Sequence, residues 1–230
     1  MVLVGYWPLN EGSGDAKDFS SNENHGTLNG GITRTASGLH GQNAYSFDGS
    51  DDFVEVSDSP ELSLEGRELT MSFWIRTSTS GRGGFIRKNP VNDWQPVYEA
   101  EVNRDGNGYL RFMNGDSTYE HTVSTITVND GELHHIAATF NDSGSTARAF
   151  VDGELVDTWN WNAQNHDTGG NLQFGRMAQS NDSTTNETTA YYSGELSEIR
   201  LYNRPLTVSE IQYIYRTGKR GLHVTSRKSS

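Results

Sequence analysis

The sequence predicts an all-β chain, two antiparallel sheets packed as a sandwich with one short helix near the C-terminus. Three observations predict it. Strand-length runs of period-two hydrophobicity recur at short spacing along 230 residues. Asp-Gly or Asn-Gly dipeptides separate many of them, at Asp48-Gly49, Asp105-Gly106, Asn114-Gly115, Asp130-Gly131 and Asp152-Gly153. Both residues of such a pair tolerate positive φ, which tight hairpins require. A single segment carries a helix-start signal. Only 33% of the chain is hydrophobic, enough for one core, while 25 glycines supply turns.

The elements follow in order. YWPLN is an aromatic opening run, and AYSF is a short strand ahead of Asp48-Gly49. LTMSFWIRT alternates Leu69, Met71, Phe73 and Ile75 against Thr70, Ser72, Trp74 and Arg76, giving one apolar side. YLRFM, LHHIAATF and ARAFV repeat the pattern more loosely. Residues 178–190, AQSNDSTTNETTA, form the longest polar stretch and read as a loop. After Pro205, Thr207 and Glu210 have the spacing of a capping box, and Ile211, Ile214 and Tyr215 make one apolar stripe. That short helix is expected to plug an edge of the sandwich.

Charge and composition narrow the partners. The formal net charge is −12, and lysine occurs only at 17, 88, 219 and 228. Such a surface suits either high salt or an ordinary acidic extracellular domain. Nucleic acid is not an expected partner, because the body lacks the basic face that phosphate contacts require. No cysteine is present, which excludes disulfides and thiolate chemistry. MVLVGYWPLN has no signal-peptide pattern and no segment reads as membrane-spanning, so a trimmed chain or virion release is expected, with an extracellular or virion-surface location. Glu210 is the last acid, and Arg216, Lys219, Arg220, Arg227 and Lys228 follow it. Residues 216–230 are therefore expected to be a disordered basic tail, or one that docks on an acidic partner or a second copy of the chain.

The two ends carry matching halves of a signature: YWPLNEGSGDAKDFSSNENHGTLNG at the start and GELSEIRLYNRPLTVSEIQYIY near the finish. Between them stand AYSFDGSDDFVEV, LTMSFWIRT, ELHHIAATF with ARAFVDGELV, and LQFGR. In this order, over roughly residues 2–215, they resemble the laminin-G-like, concanavalin A-like lectin and glucanase family. The resemblance implies a jelly-roll domain over residues 1–215, with 216–230 as its tail. It also implies a recognition module and a structural calcium near the first loop and the last strand. Asp18, Ser20, Asn22 and Asn24 offer oxygen donors at every second position, and Glu198 or Glu11 would complete the set. Calcium takes about six to eight oxygens in irregular geometry. Where relatives read Ile-Asp-Glu this chain reads Leu196-Ser197-Glu198, one carboxylate short. The alternative for the loop is an Asx-type turn held by Asp18 and Asn24.

Sugar rings stack on aromatic faces while their hydroxyls bond polar side chains. Trp94, Tyr98, Trp159, Trp161, Tyr191 and Tyr192 are the candidate ligand residues, with loops drawn from 90–98, 159–168 and 178–193. Trp159 and Trp161 share a face of a strand, and packing beneath a loop is the competing reading. Trp7 and Trp74 lie in motif strands and read as core. His134 and His135 point to opposite faces, so they do not share a metal.

The E-x-D-x-x-E run of glucanases is missing, and so are G-x-S-x-G, H-E-x-x-H and a phosphate loop. Glu195 and Glu198 fall on opposite faces of a strand. Glu99 and Glu101 share one, and read as solvent-facing acids of an alternating strand. No organic cofactor is expected. The expected function is a non-catalytic recognition or adhesion module for a glycan or glycoprotein surface. The alternative is a structural component of a larger assembly, a virion spike, turret or cell-surface array, attached through its C-terminal tail.

Overall fold

A computed structural model describes residues 3–39, 42–64, 68–88, 97–102, 106–115, 120–162, 169–177 and 189–225, with side chains as far as 219. Its early strands are β1 (Leu3–Trp7), β2 (Gly26–Asn29), β3 (Thr33–Thr35), β4 (Ala44–Asp48) and β5 (Phe53–Val56). The middle of the chain gives β6 (Leu69–Arg76), β7 (Gly83–Lys88), β8 (Tyr98–Val102), β9 (Leu110–Asn114), β10 (His121–Val123), β11 (Leu133–Asn141), β12 (Thr146–Val151) and β13 (Glu154–Asn160). Last come β14 (Leu172–Phe174), β15 (Arg176–Met177), β16 (Ala190–Tyr191), β17 (Ser193–Tyr202) and the helix α1 (Val208–Thr225).

Two antiparallel sheets form the sandwich, as the sequence predicts. One runs β13-β12-β11-β6-β17-β4-β3 with β1 added on β17, and the other runs β10-β9-β8-β7-β14-β5-β2. The paired ends do meet: Tyr6 lies opposite Arg200 and Trp7 opposite Ile199. The core between the sheets takes the expected side of β6, Leu69, Met71, Phe73 and Ile75, together with Ile136, Ala138 and Phe140 of β11. Burying a side chain such as Phe73 stabilises the fold by about 1.5–3 kcal/mol.

The other side of β6 is buried too, because α1 covers it. Trp74 is therefore buried as expected, but outside the sandwich: its ring stacks on Tyr215 of α1, with centroids 5.7 Å apart and planes 19° from parallel. Ala137, Phe150, Tyr202, Leu206 and Ile211 make a second small core under the helix, with Ile214 against it.

The helix begins where the capping box predicts. The Glu210 carboxylate accepts from the Thr207 N–H at 2.8 Å, and the Glu210 N–H donates to Thr207 Oγ1 at 3.3 Å. It continues about three turns past Tyr215, so residues 216–225 are helical rather than a disordered tail. Two glycines allow the close approach. A Cβ on Gly218 would sit 2.7 Å from the Trp74 ring, and one on Gly153, at φ +79, would sit 2.9 Å from Tyr215. Among the described residues no helix is long and apolar enough to cross a membrane.

Candidate functional site

The site is built around the meeting of β1 with β17. Asp18, almost fully buried, organises the loop after β1. Its Oδ1 accepts from the backbone N–H of Tyr6 and of Ser20, both at 2.8 Å. Its Oδ2 accepts from Ser20 Oγ at 2.8 Å and from the Asn24 N–H at 2.9 Å. Asn22 Nδ2 donates to the Val4 carbonyl, and the Asn24 carbonyl accepts from Trp7 Nε1. These are the bonds of an Asx-type turn held by Asp18, with Asn24 joining through its backbone N–H and carbonyl rather than its side chain.

The arrangement does not fit a calcium ion. Four donors already converge on the Asp18 carboxylate, and their N–H and O–H dipoles favour negative charge where a cation would need the reverse. The Glu198 carboxylate is bonded elsewhere, to Tyr6 and Arg200. A second acidic group, Asp48, Asp51 and Asp52, brings carboxylate oxygens within 4.8 Å of one another. Asp52 accepts from the Gly31 and Asp48 N–H groups and Asp48 from that of Ser50, so this too is the bonding of a turn.

A bulge in β17 aims Glu198. The pairing with β6 shifts register between Ser197 and Arg200, and Glu198 takes φ +57 while its N–H donates to the Pro8 carbonyl at 3.0 Å. Leu9, next to Pro8, is also left-handed at φ +54. Positive φ in such side chains is strained, and bulges and strain gather beside functional surfaces. The bulge lets Tyr6 Oη donate to Glu198 at 3.0 Å. Arg200 closes an ion pair with the same carboxylate and lies over the Tyr6 ring, 4.3 Å from its centroid. Burial, reinforced by the neighbouring Glu198 carboxylate, pushes the Tyr6 hydroxyl up to about 12, with Arg200 opposing. Beside Tyr6 stands Phe19, 60% exposed, its ring centroid 6.3 Å away.

Tyr6, Glu198 and Arg200 line one side of a cleft of roughly 430 Å³ whose far wall is α1, through Ile214, Thr217 and Gly218. Asn10 and Gln42 also line it, joined by a hydrogen bond of 2.6 Å. Trp74 contributes to the lining, and its Nε1 is buried with no hydrogen-bond partner among the described residues. The cleft offers one balanced ion pair, two amides, a phenol and the Trp74 ring. Its volume is in the range of small-ligand sites.

The aromatic residues singled out from the sequence lie elsewhere. Trp94 is outside the described residues, as are most of loops 90–98, 159–168 and 178–193. Tyr98, Trp161 and Tyr192 are corrections: all three are core. Tyr98 Oη donates to the Leu62 carbonyl and Trp161 Nε1 to that of Asn114. Tyr192 Oη donates to the Arg76 and Glu195 carbonyls, and burial raises its pKa. Trp159 is half-buried, stacked 4.3 Å from the His121 ring and edge-on to Phe140, so it packs. Tyr191, half-buried, lies on β16 opposite Arg176.

Glu99 and Glu101 are also corrected. Both are buried, Glu99 between Arg87 and Arg111, Glu101 between Arg82 and Arg111. Arginines on the flanking strands and hairpin neutralise them, which the alternation of one strand does not reveal. Burial, then the Glu99 charge, raises the pKa of Glu101 against the pull of Arg111 and Arg82. Among the expected site residues that are described, only Glu198 reaches the cleft. Phe19 was legible as a lone aromatic in the polar run DFSSNENHG, whereas nothing local marks Tyr6, Gln42 or Arg200.

A sandwich of two antiparallel sheets with its terminal strands paired defines the class. A laminin-G model of the concanavalin A-like lectin/glucanases superfamily matches residues 48–212, and the chain belongs to that superfamily. Among curated relatives, the sushi, von Willebrand factor type A, EGF and pentraxin domain-containing protein 1 of Rattus norvegicus is 32% identical over 98 residues, 39% of this chain and 2% of that protein. Its Mus musculus counterpart is 31% identical over 97 residues, again 39% and 2%. Among solved structures, the binding domain of Paraclostridial mosquitocidal protein 1 superposes with TM-score 0.70 at 14% identity, covering 94% of this chain and 52% of that one. The binding domain of botulinum neurotoxin DC, in complex with rat synaptotagmin II, gives 0.68 at 12%, covering 94% and 51%. A botulinum neurotoxin type C structure, described as entering cells through two ganglioside molecules, gives 0.68 at 12%, again 94% and 51%. The chain thus spans about half of these structures and a small part of its curated relatives. At such identities the structural likeness is one of fold.

Proposed function

We propose that this chain is a non-catalytic glycan-recognition module whose ligand occupies the cleft between α1 and the β1–β17 edge. The cleft itself carries the reading. Its polar groups are amides and a phenol, its charges cancel, and the exposed Phe19 ring, next to the lining residue Tyr6, is taken as a stacking face. The superfamily includes lectins, and one structural neighbour is described as engaging gangliosides, which favours a saccharide. Binding rather than hydrolysis is supported by the carboxylates. Glu99, Glu101 and Glu198 are each held by an arginine, so none of these three stands free as the acid or base of a glycosidase pair.

The test is a glycan array followed by calorimetry on Phe19→Ala. Loss of a stacking face should weaken binding about 5- to 10-fold, the equivalent of roughly 1–1.4 kcal/mol, with the melting temperature unchanged. Equal affinity in the variant for every ligand found would refute the assignment, as would release of reducing sugar by the unmodified chain.

A further inference from the structure

One buried titratable group lies outside the cleft chemistry described above. His135 of β11 is fully buried on the outer side of its sheet, directly beneath α1. Trp74 of β6 lies against its ring at 5.2 Å and Tyr215 of α1 at 6.1 Å, while Trp74 and Tyr215 stack on each other. Its Nε2 is 2.9 Å from Ser72 Oγ, and its Nδ1 has no hydrogen-bond partner among the described residues.

We infer that α1 is an acid-releasable wall of the cleft, its docking governed by the protonation of His135. An imidazolium has two N–H donors, and among the described residues the ring has one hydrogen-bonding partner, Ser72 Oγ. The charges around it are unfavourable. Arg200 of β17 opposes a positive ring. From α1, Lys219 bonds the hydroxyl of Tyr215. Asp152, between β12 and β13, is the one acid that favours the cation, and it is already occupied. Its Oδ1 accepts the His135 backbone N–H and its Oδ2 bonds the His134 ring. A protonated His135 therefore needs water, and α1 is the element that keeps water away. Among the described residues, that helix is held to the sheet by few side chains of its own. Ile211 is fully buried, Ile214 partly, and Tyr215 stacks. Because Ile214, Thr217 and Gly218 are the far wall of the cleft, releasing α1 dismantles it.

Burial, with Arg200 adding to it, holds the His135 pKa near 3 against its ordinary 6.5. A histidine with a depressed folded-state pKa contributes full docking stability above pH 6.5 and loses it as pH falls from there towards 3. The docked-to-released ratio then falls about 30-fold by pH 5 and about 300-fold by pH 4. His134 runs the other way: its bonds to Asp152 and Asp130 raise its pKa, so its protonation favours the folded arrangement.

The consequence for ligand release rests on the cleft being the binding site; the release of α1 does not. The test is amide hydrogen exchange on the ligand-free chain at pH 8, 5 and 4, corrected for intrinsic rates, comparing residues 208–219 with β17. Protection of α1 should fall by about the factors above while β17 holds. In His135→Gln, which keeps His134, α1 protection at pH 5 should stay near its pH 8 value, leaving at pH 4 only the few-fold loss that Glu210 supplies; His135→Phe serves if the first variant does not fold. PH-independent protection in the natural chain, or an unchanged acid response in the variants, would overturn the proposal. A glycan hit is then titrated at pH 8 and 5. Absence of any hit at pH 8 would refute the ligand assignment alone, whereas α1 release without a change in affinity would refute the link between helix and cleft.

Discussion

Arg111→Met tests the buried charge network on the outer face of the second sheet. Arg111 is almost fully buried, and its guanidinium is shared by Glu99, Glu101 and Glu120. Methionine preserves much of the aliphatic stem but leaves Glu99 and Glu101, two residues apart on one side of β8, with one arginine fewer between them. Breaking a buried pair by removing one partner costs about 3–5 kcal/mol, and two carboxylates lose this one, so the upper half of that range is expected at pH 7. The sign with pH follows. The pKa of Glu101 is already raised above its ordinary 4.5 by burial and by Glu99, and without Arg111 it rises further. An acid with a raised folded-state pKa destabilises the fold while ionised, and the penalty shrinks as pH falls through that pKa towards 4.5. Urea denaturation of both proteins at pH 7.5 and 5 measures this. The deficit should be smaller at pH 5, and adding Glu101→Gln should recover part of it at pH 7.5. A deficit below about 1 kcal/mol at pH 7.5, or one that grows on acidification, would refute the reasoning.

Two further outcomes follow from the loops and the cap. Asp18→Ala orphans the donors of Tyr6, Ser20 and Asn24 and should lower stability by about 2–4 kcal/mol, while a chelator should leave the melting temperature of the natural chain unchanged; a drop on chelation would restore calcium to this loop. Glu210 is held down to about 2 by the Arg204 ion pair and the Thr207 N–H. Its contribution is therefore present above its ordinary 4.5 and lost as pH falls through 2, and Glu210→Gln should loosen the first turn of α1 at neutral pH, read as faster exchange there than in the natural chain.

The sandwich was legible because its signals are local. The alternation of Leu69, Met71, Phe73 and Ile75 needs only the pleat, and Thr207 with Glu210 needs only one helical turn. What the sequence hid is what covers each outer face. Glu99 and Glu101 alternate like solvent-facing acids, and only the flanking Arg87 and Arg111 reveal that they are interior. Tyr98, Trp161 and Tyr192 were misread for the same reason: each hydroxyl or indole N–H ends on a backbone carbonyl from another part of the chain. The cleft is less legible still. It joins residue 6 to residue 42 and residue 218, and its aim depends on a bulge at Glu198 that no local pattern announces.

The partnership of β1 and β17 has a further consequence, in time rather than space. β17 is not an edge strand; it lies between β6 and β4 and also holds β1. Its contacts with Leu3, Ala44–Asp48 and Leu69–Arg76 span most of the chain, a topology of high contact order that folds slowly. Until residue 202 leaves the ribosome, β4 and β6 present open strand edges across an empty slot. Nascent chains stalled before β17 should be the aggregation-prone, chaperone-dependent species, and its insertion should be the step that commits the sheet.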